Sequence, residues 1–283
     1  MKKIMQLAAA AVLTLFASSC IEHTSTIRLN KDGSGTITEE TLLSAEVTAM
    51  IAQMGEGAED PAEKMADPKK AAAAAKKMGE GVSVEKVQKI DKDGRKGARV
   101  IFKFKDINEV QYRFGETMSD KEDDAGEPGA AGDAPDDEAA APQNQPIAFR
   151  YKNGKLSLAN PVNQNAADKK PADKDAKKDA DTIDLSDELD EEAIANMKKA
   201  FKDMRMALLI ELPGGIAETD ASHVEGSTVT LMDVAFGKLL SDPKNLKKLS
   251  AMQGASPTKM AAAFKGIEGI KIETRDTITV ELK

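Results

Sequence analysis

Ile21-Glu22-His23-Thr24-Ser25-Thr26-Ile27-Arg28-Leu29 leads into Asn30-Lys31-Asp32-Gly33-Ser34-Gly35 and then into Thr36-Ile37-Thr38-Glu39-Glu40-Thr41. Ile21, Ser25, Ile27 and Leu29 fall on one side of an extended chain, with Thr24, Thr26 and Arg28 on the other. Alternation of this kind around an Asp-Gly turn reads as a β-hairpin. The pattern recurs where residues 82–90 and 98–105 flank Asp91-Lys92-Asp93-Gly94, and where residues 147–151 and 155–159 flank Asn153-Gly154. Hairpins pair antiparallel, so the sequence predicts a mostly antiparallel sheet. Val100, Phe102 and Phe104 share a face and are expected in its core. Beyond the three hairpins there is no internal repeat.

Around these hairpins lie segments of helical period. Val47, Met50, Ile51 and Met54 stand at i, i+3, i+4 and i+7, the spacing of a short amphipathic helix. Residues 61–78 are rich in Ala and Lys with Asp67-Pro68 inside, which reads as helix, break, helix. Ile107, Val110 and Phe114 predict a short helix over 106–115. Ala193, Met197, Ala200, Phe201 and Met204 form a stripe on a helix over 188–204. The nearly all-apolar run 206–212 is the best candidate for a central strand, and 228–236, 270–273 and 277–282 read as further strands. Asp242-Pro243 and Ser256-Pro257 are caps followed by proline, opening helices over 246–252 and 260–267. Hairpins with helices grouped beside them make an α+β fold, a sheet with helices on one face.

Two tracts lack the means to pack. Residues 119–145 are acidic and rich in Gly, Ala and Pro, and residues 160–181 alternate Lys and Asp clusters. Neither can bury enough apolar area to offset its ordering entropy, so both read as disordered, solvated insertions. The chain then divides into a leader (1–19), the first part of an α+β domain (20–118), an acidic linker (119–145), a hairpin (146–159), a Lys/Asp-rich linker (160–187) and the second part of the domain (188–283). A single domain is favoured, because each half alone has a thin core.

The leader begins Met1-Lys2-Lys3, continues as an apolar run over 4–17 and ends Ala17-Ser18-Ser19-Cys20. The run is interrupted by Gln6 and Thr14 and falls short of the ~20 apolar residues a bilayer span needs. Two lysines, a short apolar core and small residues are the make-up of a secretory signal. The stretch resembles the bacterial lipoprotein signal, whose lipobox ends in cysteine. That resemblance implies that Cys20 receives a thioether-linked diacylglycerol, becomes the N-terminus after cleavage and is then N-acylated. Ala17 departs from the Leu usual three residues before the cysteine. The competing reading is an ordinary signal peptide that leaves Cys20 as a free thiol. Cys20 is the only cysteine, and exported proteins usually pair theirs, which favours lipidation. Ile21, rather than Asp, follows the cysteine. By the same resemblance this sorts the protein to the periplasmic face of the outer membrane.

Composition narrows the function. The 283 residues carry a formal net charge of −8, and loss of the leader removes Lys2 and Lys3 with no acid. An acidic balance argues against nucleic acid and against electrostatic docking on anionic lipid. No P-loop, dinucleotide fingerprint or Gly-x-Ser-x-Gly is present. His23 and His223 lack ligand-spaced partners, so neither a zinc site nor any cofactor is expected. Residues 30–37 mimic the front of an EF-hand loop, but position twelve, which should be Glu, is Thr41. A glycine-rich turn is the better reading. With no Trp and two Tyr, a sugar-stacking cleft is disfavoured.

Residues 27–36, and Leu212-Pro213-Gly214 followed by Val224-Glu225-Gly226-Ser227-Thr228-Val229-Thr230, resemble LppM-like bacterial lipoproteins. That resemblance implies an α+β lipoprotein domain that binds lipid or another envelope component, and it carries over no site residue. The expected function is non-enzymatic: a membrane-anchored envelope protein binding a lipid or protein partner. The alternatives are a scaffold or assembly subunit, and an enzyme with an unrecognised carboxylate site. Limited proteolysis should cut first within 119–145 and 160–181, leaving fragments that stay associated. Resistance of both tracts would contradict the division proposed for the chain.

Overall fold

The structure is a computed structural model that describes residues 21–53, 60–115, 146–160, 198, 201–242, 244, 245, 248, 259 and 262–283. The leader with Cys20, the two polar tracts apart from Asn160, and most of the helices expected over 188–204 and 246–252 lie outside those residues; of the helix expected over 260–267, residues 262 and 263 are helical and 264–266 form a turn.

The opening hairpin forms as expected. Strand β1 (Ile21–Leu29) pairs antiparallel with β2 (Gly35–Leu43), from Ile21 opposite Leu43 to Leu29 opposite Gly35. Three short helices follow: α1 (Ala45–Gln53), α2 (Pro61–Met65) and α3 (Pro68–Lys77). The expected break falls between α2 and α3. Asp60 and Asp67 cap them by accepting the amides of Ala62 and Lys69, with proline in each first turn. The second hairpin is β3 (Val82–Lys92) with β4 (Arg95–Phe104), and the third is β5 (Phe149–Lys152) with β6 (Lys155–Ala159). Their turns, Asp93-Gly94 and Asn153-Gly154, have positive φ at both residues. That geometry matches the right-handed twist of paired strands.

The second half supplies β7 (Arg205–Glu211), β8 (Ile216–Thr219), β9 (Val224–Glu225), β10 (Thr228–Ala235), α4 (Phe236–Leu239), β11 (Ile270–Ile272) and β12 (Thr277–Leu282). The strands form two sheets. The larger runs β11-β10-β7-β1-β2-β4-β3, with β9 on β10, and the smaller runs β5-β6-β12-β8. The fold class is α+β and mostly antiparallel. The exception is β1, which pairs parallel with β7 from Glu22 opposite Arg205 to Arg28 opposite Glu211. The central-strand expectation for 206–212 is met, because β7 sits between β1 and β10. Strand β8 was not anticipated, since Ile216-Ala217-Glu218-Thr219 is short and only half apolar.

One buried cluster joins the inner face of the large sheet (Ile27, Leu29, Ile37, Phe102, Phe104, Leu208, Ile210) to α3 (Ala71, Ala75) and to the small sheet (Leu156, Leu158, Ile278, Val280). The small sheet is stapled to the first hairpin by Tyr151, whose hydroxyl donates to the Lys31 carbonyl at 2.7 Å. Asn108 covers the outer edge of β5: its amide oxygen accepts the Tyr151 N–H and its NH₂ donates to the Tyr151 carbonyl. A side-chain amide thus stands in for a neighbouring strand.

Two expectations need correction. The helix predicted over 106–115 is a single 3₁₀ turn, Ile107–Glu109, capped by Asp106. At Val110 the chain turns extended (φ −81°, ψ 127°). From there its backbone bonds run to other segments, Gln111 N–H to the Met78 carbonyl and Ile147 N–H to the Tyr112 carbonyl. Val110 and Tyr112 are buried at every second residue, so tertiary pairing overrides the helical period. Asn160, placed at the head of a solvated tract, is fully buried instead. Its NH₂ donates to the carbonyls of Glu273 and Arg275, closing the link between β11 and β12.

Strand β4 is held against β2 at Gly97, where a Cβ would stand 1.9 Å from the Thr41 carbonyl oxygen. Gly97→Ala should therefore lower stability by about 3 kcal/mol, read from the urea midpoint, because backbone on a central strand pair cannot yield. A change below about 0.5 kcal/mol would show that the two strands are not packed this closely.

Candidate functional site

Ile21, directly after Cys20, is the first residue of β1, and β1 lies inside the large sheet with partners on both sides. Any group attached at Cys20 is thus joined to the middle of the sheet with no intervening linker. Cys20 itself lies outside the described residues.

The inner face of this end of the sheet carries an unexpected polar chain. Alternation places His23 and Ser25 on the side of Ile27 and Leu29, and all four are fully buried. Cross-strand register sets His23 opposite Thr41 and Ser25 opposite Glu39. The His23 Nδ1 lies 2.9 Å from Thr41 Oγ1, and its Nε2 lies 3.0 Å from Ser25 Oγ. The Tyr112 hydroxyl lies 2.7 Å from Ser25 Oγ and 2.8 Å from Glu39 Oε1. The Phe114 ring packs edge-on against His23 at 5.3 Å.

One polarity satisfies every atom of this chain with Glu39 as the terminal acceptor. Thr41 donates to Nδ1, Nε2–H to Ser25, Ser25 to Tyr112, and Tyr112 to the Glu39 carboxylate. The imidazole is neutral in that arrangement, and burial pushes the His23 pKa down to about 4. A hydroxyl beside an imidazole is also the start of a nucleophile–base pair. Here Ser25 is fully enclosed, and the far nitrogen of His23 meets a hydroxyl rather than a carboxylate. The chain acts as a polar clamp, tying the extended segment at Tyr112 to the β1–β2 hairpin.

A second buried acid, Glu273, sits between the sheets. Its carboxylate accepts the Ser222 amide and hydroxyl and the amides of Thr274 and Arg275. Burial pushes its pKa up, but those four donors outweigh it and hold the group below the usual range. At the first turn, Asp32 Oδ1 accepts both the amide and the hydroxyl of Ser34, so its oxygen closes the turn as expected of a glycine-rich loop. Among the described residues no group of three His, Cys, Asp or Glu is placed to hold a metal. His223 meets the Ile272 carbonyl at 3.2 Å, far in the fold from His23.

No family model matches the chain, and no curated protein matches it. Among solved structures it is similar to the NMR structure of the folded domain of the Mycobacterium tuberculosis LppM protein. The match covers 77% of this chain and 84% of that one, with 12% sequence identity and a TM-score of 0.32. This is a weak resemblance and transfers no residue role.

The polar clamp was not read from the sequence. Its one visible sign was His23 in phase with Ser25 and Ile27 on a strand, which is also the pattern of a half-exposed edge. Two outcomes test it. Tyr112→Phe leaves Ser25 and Glu39 short of a partner and should cost about 2 kcal/mol in urea unfolding. Stability should also fall with acid. Unfolded His23 binds a proton below pH ~6.5, whereas the folded form resists until about 4. The His23 contribution is therefore complete above pH ~6.5 and lost as pH falls towards 4, by about 3 kcal/mol, and His23→Gln should remove that part of the slope. Parallel pH profiles for wild type and His23→Gln would show that the imidazole is not buried neutral.

Proposed function

We propose that this protein is a lipid-anchored bacterial envelope protein without enzymatic activity, held by acyl chains on Cys20. It would present its α+β domain to a lipid or protein component of the envelope. The observation that carries this reading is the junction of motif and fold. The lipobox-like sequence puts the cleavage before Cys20, and the first strand begins at Ile21. Processing there leaves every residue of β1 in place. Two or three acyl chains, at ~0.8 kcal/mol per buried methylene, hold a protein on a bilayer far longer than one. No helix among the described residues is long and apolar enough to cross a membrane, which fits an anchor outside the fold. A non-enzymatic role is supported by the enclosure of Ser25, His23 and Glu39. Ile21 after the cysteine favours export onward to the outer membrane.

The experiment compares wild type with Cys20→Ala, the leader intact in both. Wild type should partition into the detergent phase. Cys20→Ala should appear in the aqueous phase or persist as a longer precursor. Identical partitioning of the two would remove the lipid anchor and leave the secreted free-thiol reading.

A further inference from the structure

The outward face of the small sheet sorts its charges by sign. Register aligns one row across the four strands: Glu218 on β8 opposite Glu281 on β12, Glu281 opposite Lys155 on β6, and Lys155 opposite Lys152 on β5. A second row repeats the polarity. Asp220 accepts the Thr279 amide at 2.8 Å, Thr279 stands opposite Ser157, and Ser157 opposite Arg150. Acids therefore gather at the β8 edge and bases at the β5 edge. Ser157, Thr279, Thr277 and Ala159 form a strip of small side chains between them. All six charged residues are exposed. None of Glu218, Glu281, Lys155, Lys152 and Arg150 makes an ion pair among the described residues. By contrast, each arginine on the large sheet has a carboxylate: Arg28 with Glu211, Arg95 with Glu22, Arg99 with Glu40, and Arg205 with Asp233.

Like charges directly opposite in neighbouring strands are unfavourable, so Glu218 beside Glu281 and Lys155 beside Lys152 gain nothing within one chain. The same sorting is self-complementary between two. We propose that this face binds a second copy of the chain, face to face, about a two-fold axis lying in the interface along the strands. Rotation about that axis reverses the order of the strands. It sets the second copy's Lys152 over Glu218, its Lys155 over Glu281 and its Arg150 over Asp220, with the strip of small side chains at the axis. An axis across the strands would oppose like charges instead. A closed isologous pair results.

The face is small. Four strands about 4.8 Å apart and some five residues long cover about 300 Å² per copy. The total is below the ~1,000 Å² of a stable interface, so association in dilute solution is weak. It becomes substantial where copies share a surface that raises their effective concentration, and only that step rests on the Cys20 anchor.

The test therefore uses the mature chain with Cys20→Ala, so that it does not depend on the anchor. Sedimentation equilibrium up to about 1 mM protein, where weak pairs populate, should show reversible dimers at about 50 mM salt and their loss at about 0.5 M. Two charge-reversed chains, Lys152→Glu with Lys155→Glu and Glu218→Lys with Glu281→Lys, should each be monomeric. Their equimolar mixture should dimerise at least ten-fold more tightly than either alone. Recovery in the mixture separates charge pairing from damage to the fold. A monomer at every concentration overturns the proposal, as does a dimer that ignores both reversals, or reversed chains that fail to recover on mixing. Lysine cross-links from Lys152 or Lys155 that stay within one chain and reach residues 161–187 would replace the second copy with the chain's own tract.

Discussion

The large sheet depends on one condition: two polar side chains on the inner face of its central strand must be satisfied without water. Buried hydroxyl and imidazole groups left unpaired cost about as much as several good apolar contacts return. His23 and Ser25 meet that condition through Thr41 and Glu39 on β2 and through Tyr112 from the far side. Tyr112 can reach them only because the chain after Ile107–Glu109 leaves the helical path and runs extended. The shape of that crossing segment, its pairing with Met78 and Ile147, and the docking of the third hairpin all follow. The clamp and the apolar cluster share a face, so packing and hydrogen bonding fix the same register. A one-residue slip of β1 would expose Ile27 and Leu29 together with both polar groups.

Local chemistry was the legible part of the fold. Asp93-Gly94 and Asn153-Gly154 announced their turns because few other pairs tolerate positive φ twice in succession. Asp67-Pro68 announced the break between two helices for the same local reason. What escaped was decided at a distance. The helical spacing of Ile107, Val110 and Phe114 is real, yet the backbone of Gln111 finds its partner at Met78. Asn160 looks like the first residue of a polar tract until the carbonyls of Glu273 and Arg275 are brought to it. The division into two sheets was illegible too, because alternation gives a strand's faces and not its neighbours.

The candidate site divides along the same line. The cysteine motif is contiguous in sequence and could be read there, while the polar clamp draws on residues from 23 to 112 and could not. The charge order on the small sheet lies between these cases. Lys152 and Lys155 flank one visible turn, but Glu281 and Glu218 join their row only through pairings across the chain.

The parallel pairing of β1 with β7 has a kinetic side. Glu22 to Arg28 bond to Arg205 to Glu211, so the strand made first completes its pairing only when the last third of the chain is present. Contacts this far apart in sequence form slowly, since a long loop must close before any gain is returned. The β1–β2 hairpin alone, open on the β7 side, is marginal in water. For a chain threaded N-terminus first through a narrow channel, that delay sets an order of assembly. Strands β1, β2, β4 and β3 need only residues 21–104 to pair, but the sheet gains its β7 side only once the last third of the chain is free to join it.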